Sequence, residues 1–485
     1  MKGNSFYAET MRLRHRVYLL FCALSEATER LWQGKFYFPL LLIVTLSAVA
    51  LHEALWGASI LLMITAWMFL FCPDVMAGIS AGCVMTLLAT EHYTDMGAFL
   101  PCMPLLLIAV VALATHLLVW PLELRVGRSC RGLLLVSAAA VLGGMGAISQ
   151  VQALKPMSLY YSLGLGVMLL FFYLLTRSQM AKVGGEETLR RFAGLFYTIG
   201  LGAAGVIFLA YIEHWDPTAA VHVAPDLRWR NFIATILVTT LPVPFGFAVK
   251  HKGHLLSAVI LTMALVVTGS RMALLFGAVE LVLCCCYLVR WGVISKRVMK
   301  TLLLVGVAAA IILGPQILAV ALGGRTGEND FHGSNVIRLQ LIARGVEDFL
   351  RYPLFGIGLN NPANADLYPV VDGSMVFYHS LPIQVMASMG MLGVVAYGVL
   401  FHDRLTLLRD SKSSWADMLG LCYIGMLLVS MVNPGEFCPF PNAVLMTIAF
   451  SAVEEAVDDP VLSIEQLSVS WYRIWVGPWK PALRK

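Results

Sequence analysis

The chain has 485 residues, 59% of them hydrophobic and only 13% charged, with a formal net charge of +5. Soluble domains carry about 25% charged residues, so this composition excludes a soluble protein and belongs in a lipid bilayer.

In chain order, residues 1–35 carry only short, interrupted apolar runs and no small-residue cleavage site. They read as a basic amphipathic segment on the cytoplasmic membrane surface, not as a signal peptide. Runs near the ~20 residues needed to span a membrane follow at 36–52, 54–72, 75–91, 101–121, 132–149, 157–176, 194–212, 231–249, 254–269, 271–289, 301–322, 381–401, 416–433 and 441–456. The expected fold class is an all-α integral membrane protein with about 12–14 transmembrane helices. A bundle occupies 36–322, a long outer loop 323–380, further membrane helices 381–456, and a cytoplasmic tail 457–485. The ten cysteines show no CxxC spacing and no ligand-like grouping with histidine, so they read as inert thiols. No metal site is expected.

Positive loops stay cytoplasmic. With the N-terminus inside, the cytoplasmic pieces hold 26 of the 34 Lys and Arg, and the even helix count returns the C-terminus inside. The other eight are Lys155, Arg228, Arg230, Arg271, Arg325, Arg338, Arg344 and Arg351. Arginines gathered on the outer side suit a phosphate or carboxylate, because the planar guanidinium makes paired hydrogen bonds to such anions; snorkelling, or pairing with Asp330, Glu347 or Asp348, is the plainer alternative.

Arg271 lies between two apolar runs, in Thr268-Gly-Ser-Arg-Met. An arginine at the centre of a spanning helix costs roughly 2.5–3.5 kcal/mol, so it is expected at a helix end. Glu280 cannot neutralise it, since nine residues at 100° put that carboxylate on the opposite helix face. Residues 335–350 have helical periodicity, with Ile337, Leu341 and Val346 apolar and Arg338, Arg344 and Glu347 on other faces. Pro353-Leu-Phe-Gly-Ile-Gly358 then turns sharply, and His379 stands just before a new membrane run.

Over about 266–400 the sequence resembles the bacterial O-antigen ligase and O-antigen polymerase superfamily. The motifs are Gly269-Ser270-Arg271-Met-Ala-Leu274, Arg338 fifteen residues before the Pro353–Gly358 turn, and His379-Ser-Leu-Pro-Ile-Gln384 leading to Gly390-Met-Leu-Gly393. Ser380 stands where the family usually has Asn, Met272 where it has Gly, and Ile342 where Trp is frequent. The resemblance implies a GT-C-like glycosyltransferase of the cytoplasmic membrane, metal-independent and without a cofactor, with its site on the outer side. Its partners would be an undecaprenyl-diphosphate-linked glycan donor, a glycan or lipid A–core acceptor, and membrane lipids; no nucleic acid is expected.

In that frame Arg271 and Arg338 clamp the diphosphate and His379 is the general base of an inverting transfer. Arg228, Arg230 and Arg344 are further anion contacts, and Tyr378 offers a hydroxyl and a ring face to sugar. Glu347, Asp348 and Asp366 remain available as outer carboxylates. Gly323-Gly324 and Gly184-Gly185 lack the strand-and-helix setting of a phosphate loop, which argues against a nucleotide-sugar donor. A polymerase uses the same donor chemistry as a ligase. A transporter is the rival of another class, although no internal repeat accompanies the few mid-membrane charges, Glu280 being the clearest.

Overall fold

The computed structural model describes residues 3–90, 96–120, 125–149, 156–180, 184–213, 230–301, parts of 304–314, 328–359, 378–433, 435–437 and 441–457. The described elements are helical, with no strand among them. Two compact units divide the chain. The first contains α1 (Gly3–Gln33), α2 (Tyr37–Ala50), α3 (Ala54–Phe71), α4 (Val75–Val84) and α5 (Met103–Val119). α1 and α2 meet at a bend of 79° between Gln33 and Tyr37. Asp74 begins α4 by accepting the Met76 N–H at 3.0 Å, the usual way an acidic N-cap satisfies an orphan donor.

The second unit holds α6 (Ser129–Ala139), α7 (Pro156–Ser162), α8 (Met168–Met180), α9 (Gly185–Glu213), α10 (Arg230–Thr240), α11 (Val243–Ala248), α12 (Leu255–Val267), α13 (Arg271–Arg290), α14 (Glu328–Arg351), α15 (Leu381–Asp410), α16 (Ser414–Ser430) and α17 (Pro441–Val457). Seven helices among the described residues are long and apolar enough to cross a membrane, including Arg271–Arg290 and Leu381–Asp410. Shorter apolar helices accompany them, among them Lys252–Val267 and Ser414–Ser430. The chain is therefore a multi-pass, all-α membrane protein. The expected run at 301–322 and the tail after 457 lie largely or wholly outside the described residues.

Helices pack closely where side chains are small, as membrane bundles without a hydrophobic driving force require. At Gly132 of α6 a Cβ would come within 2.6 Å of Leu400 Cα on α15. α13 and α16 run antiparallel: Arg290, ending α13, pairs at 3.3 Å with Asp417 in the first turn of α16. The start of α13 therefore shares an end of the bundle with the segment that leaves α16.

Candidate active site

The break between α12 and α13 is built by Thr268-Gly269-Ser270. Gly269 takes φ +61°, a left-handed conformation that costs glycine little. The Thr268 hydroxyl donates to Leu265 O at 2.7 Å and accepts the Ser270 N–H at 3.2 Å. Ser270, 3% exposed, turns its own hydroxyl to Asn231 Oδ1 at 3.0 Å. Arg271 is thus the first residue of α13, half-buried, beside the start of α10. Glu280 is fully buried, and no hydrogen-bond partner among the described residues reaches its carboxylate.

α14 presents a different face from the one its apolar pattern suggests. Leu341, Gly345 and Asp348 are buried, while Val346, Leu339 and Leu350 are exposed. The expected stripe of Ile337, Leu341 and Val346 is therefore corrected. The cause is Gly345, where an added Cβ would overlap Ile383 and lie 3.0 Å from Tyr378; this close approach fixes the docked face. Arg338 precedes Leu341 by one turn and heads the same stripe. Its charge acts on both Arg271 and His379.

The turn after α14 plugs a break in α15. Gly390 adopts φ 64°, ψ −157° inside the helix, and the freed backbone groups find partners in the Pro353–Leu359 segment. Ile357 and Gly358 donate to the carbonyls of Ala387 and Ser388 at 2.9 and 3.0 Å. Met391 and Leu392 donate to Pro353 and Leu354 at 2.7 and 3.2 Å. Backbone that leaves helical geometry at membrane depth must be satisfied internally, and here the turn does it. Leu359 N–H reaches Gly144 O at 2.6 Å, and the Ser149 hydroxyl bonds Gly356 O, so α6's end joins the same knot.

His379 stands two residues before α15 with φ +52°, a conformation uncommon outside glycine. Gln384 holds the strained segment: its side-chain oxygen accepts the Tyr378 N–H at 2.9 Å, and its amide nitrogen donates to the Ser388 hydroxyl at 2.9 Å. The half-buried His379 ring places Nδ1 3.3 Å from Asn433 Oδ1. Burial, then the positive charge of Arg338, lowers the pKa of His379 below its ordinary 6.5, and the Asn433 hydrogen bond opposes this. Burial and the Arg338 charge thus both favour the neutral imidazole.

Tyr378, expected to offer a ring face to sugar, is turned into the core. It is 3% exposed, packs with Ile357 and Ala387, and donates its hydroxyl to buried Asp348 at 2.7 Å. That desolvation and the adjacent carboxylate push its phenol well above the ordinary value. Asp348 is thereby committed to the core, and Glu347 is exposed. Arg344 is half-buried on α14 and near enough for its charge to act on Tyr378. Arg230 opens α10, next to the Asn231 that holds Ser270; Arg228 and Asp366 lie outside the described residues.

The structure thus brings Arg271, Arg338 and His379 together, with Arg338 acting on both of the others. Asn433 carried no sequence signal, being a polar residue at an ordinary helix end, and Asp348 stood out in sequence as an outer carboxylate but not as the partner of Tyr378. Among the described residues, no group of three or more His, Cys, Asp or Glu is placed to hold a metal ion.

Residues 256–398, which contain all three, match a family model described as O-Antigen ligase. A comparison with curated proteins found no match.

Proposed function

We propose, for a membrane protein whose residues 256–398 match an O-antigen ligase family model, that it moves a glycan from undecaprenyl diphosphate to an acceptor sugar at the outer face of the cytoplasmic membrane. The observation carrying this reading is the convergence of two guanidiniums and a neutral imidazole at one end of the bundle. A lipid diphosphate is anionic and anchored in the bilayer, so it would meet Arg271 at the start of a membrane helix, where the backbone N–H groups also favour negative charge. Arg338 would grip it from α14.

In the reaction the acceptor hydroxyl oxygen attacks the anomeric carbon as His379 Nε2 takes its proton. The bond from that carbon to the diphosphate oxygen breaks, and the leaving diphosphate carries off the electron pair with its charge held by the two arginines. One direct displacement inverts the anomeric centre. Positioned bases contribute typically 10²–10⁴-fold, and fixed cations in a site of restricted water access add more than they would in bulk solvent. Arg344 and the Arg228–Arg230 segment supply outlying anion contacts on this reading, and both chain ends face the cytoplasm.

The test is release of undecaprenyl diphosphate by purified protein from an undecaprenyl-diphosphate-linked oligosaccharide. It is run in EDTA, with and without a lipid A–core acceptor, beside His379→Ala. Release requiring acceptor and His379 supports the ligase; glycan lengthened on the donor lipid would make it a polymerase. No release from folded protein would overturn the transferase reading and leave transport to be assayed.

A further inference from the structure

The segment leaving α16 returns into the bundle. Asn433 N–H donates to Val429 O at 2.9 Å, and Asn433 O accepts the Gly435 N–H at 2.8 Å. Below it, Glu436 N–H bonds the Ser430 hydroxyl at 3.2 Å, and the Asn442 amide donates to Gly435 O at 2.8 Å. Glu436 is 4% exposed, and its carboxylate accepts from Arg404 Nη1 at 2.9 Å. Arg404, 1% exposed, lies 5.2 and 5.0 Å from the ring centres of Tyr423 and Phe450. Breaking such a pair leaves an uncompensated buried charge, which is strongly destabilising, so the loop is firmly tied to α15.

α15 is also the helix that begins two residues after His379. Its near end carries the imidazole, and its Arg404 anchors the loop that meets that imidazole. The Nδ1 to Oδ1 contact is therefore set from both sides, by the two arms of α15 that meet at Gly390. An amide oxygen such as Asn433 Oδ1 can only accept, so in this contact Nδ1 carries the hydrogen, and in the neutral ring Nε2 then bears the lone pair. The left-handed backbone of His379 gives a further reason for a partner, because a strained residue persists only where its surroundings hold it.

We infer that Asn433 is a positioning residue for His379, fixing the tautomer and ring orientation in which Nε2 faces the acceptor hydroxyl, and that the Arg404–Glu436 pair holds Asn433 in place. The inference rests on the proposed role of His379 as base. Arg338 on α14 is the charged group acting on the ring, and Asn433 faces it as a neutral one.

The experiment measures kcat and KM against pH for the full-length wild type, Asn433→Ala, Asn433→Asp and His379→Ala. The probes are an undecaprenyl-diphosphate-linked oligosaccharide and a lipid A–core acceptor. Losing one hydrogen bond predicts that Asn433→Ala lowers kcat roughly 3–10-fold with KM unchanged. The acid limb should move to lower pH in Asn433→Ala, where a bond favouring the protonated ring is gone, and to higher pH in Asn433→Asp, where a carboxylate favours it. A fall in kcat with neither limb moved overturns the inference, since any structural role would produce that. Wild-type turnover by His379→Ala overturns the underlying reading instead. Asn433→Ser takes the place of the alanine variant if that one does not fold, and the same directions are required of it.

Discussion

Replacing Gly390 by alanine strikes the joint on which the site is assembled. Its backbone lies where essentially only glycine goes, at φ 64°, ψ −157°, and holding another residue there costs about 1–3 kcal/mol. The added Cβ would also come within 2.5 Å of the Leu354 carbonyl carbon and oxygen, backbone atoms that cannot swing aside. The turn must shift, loosening the four backbone hydrogen bonds between 353–358 and 387–392. At a net ~0.5–1.5 kcal/mol each, losing half of them brings the total to about 2–6 kcal/mol. Gly398, in the same helix, has nothing within 4 Å of its added Cβ and serves as the control. Thermal unfolding in detergent should show Gly390→Ala melting well below wild type and Gly398→Ala not. Because the turn fixes the end of α14, turnover of Gly390→Ala should fall at least tenfold; misplacement by about 1 Å can cost 10²-fold. Wild-type melting and turnover in Gly390→Ala would refute the argument that this docking builds the site.

Arg271→Lys and Arg338→Lys keep the charge but lose the paired geometry, so each should cut kcat/KM about 10–100-fold, the worth of a charged hydrogen bond; full activity in either lysine variant and its alanine counterpart counts against the clamp. Tyr378→Phe leaves the buried Asp348 carboxylate without its donor and should lower stability by about 1–3 kcal/mol, read by thermal unfolding, with KM unchanged because the ring does not meet substrate. On the proposed reading His379 must be neutral to act, and its pKa lies below 6.5. The acid limb of the kcat/KM profile should therefore have its midpoint below pH 6.5, and Arg338→Gln, by removing the opposing charge, should move that midpoint to higher pH.

What could be read from sequence and what could not divides along physical lines. Helix placement was legible because a membrane core demands long apolar runs: the runs at 54–72, 271–289 and 416–433 became Ala54–Phe71, Arg271–Arg290 and Ser414–Ser430. The break at Gly269 was legible from Thr-Gly-Ser, residues that favour turns over helix interiors. The facing of α14 was not, because leucine and valine on its outer side look the same in sequence as leucine turned inward. Only the approach at Gly345 decides, and that depends on a helix more than thirty residues away. The setting of Tyr378 was hidden for a related reason. A tyrosine beside a candidate base suggests ligand contact, while Asp348, its actual partner, sits 30 residues earlier. Asn433 lies 54 residues from His379 and belongs to no local pattern.

Arg338 has two effects, and on the proposed reading they are connected. Its charge bears on Arg271, so the proposed clamp sets two like charges near one another, and a diphosphate bound there would relieve their repulsion. The same charge bears on His379 and favours the neutral ring. A bound diphosphate would offset that field, making the imidazole more willing to take a proton at the moment a donor is in place. The acceptor hydroxyl then meets a stronger base only in the complex, without any movement of the ring. Burial, the larger cause of the lowered pKa, remains throughout, so the imidazole stays unprotonated while it waits.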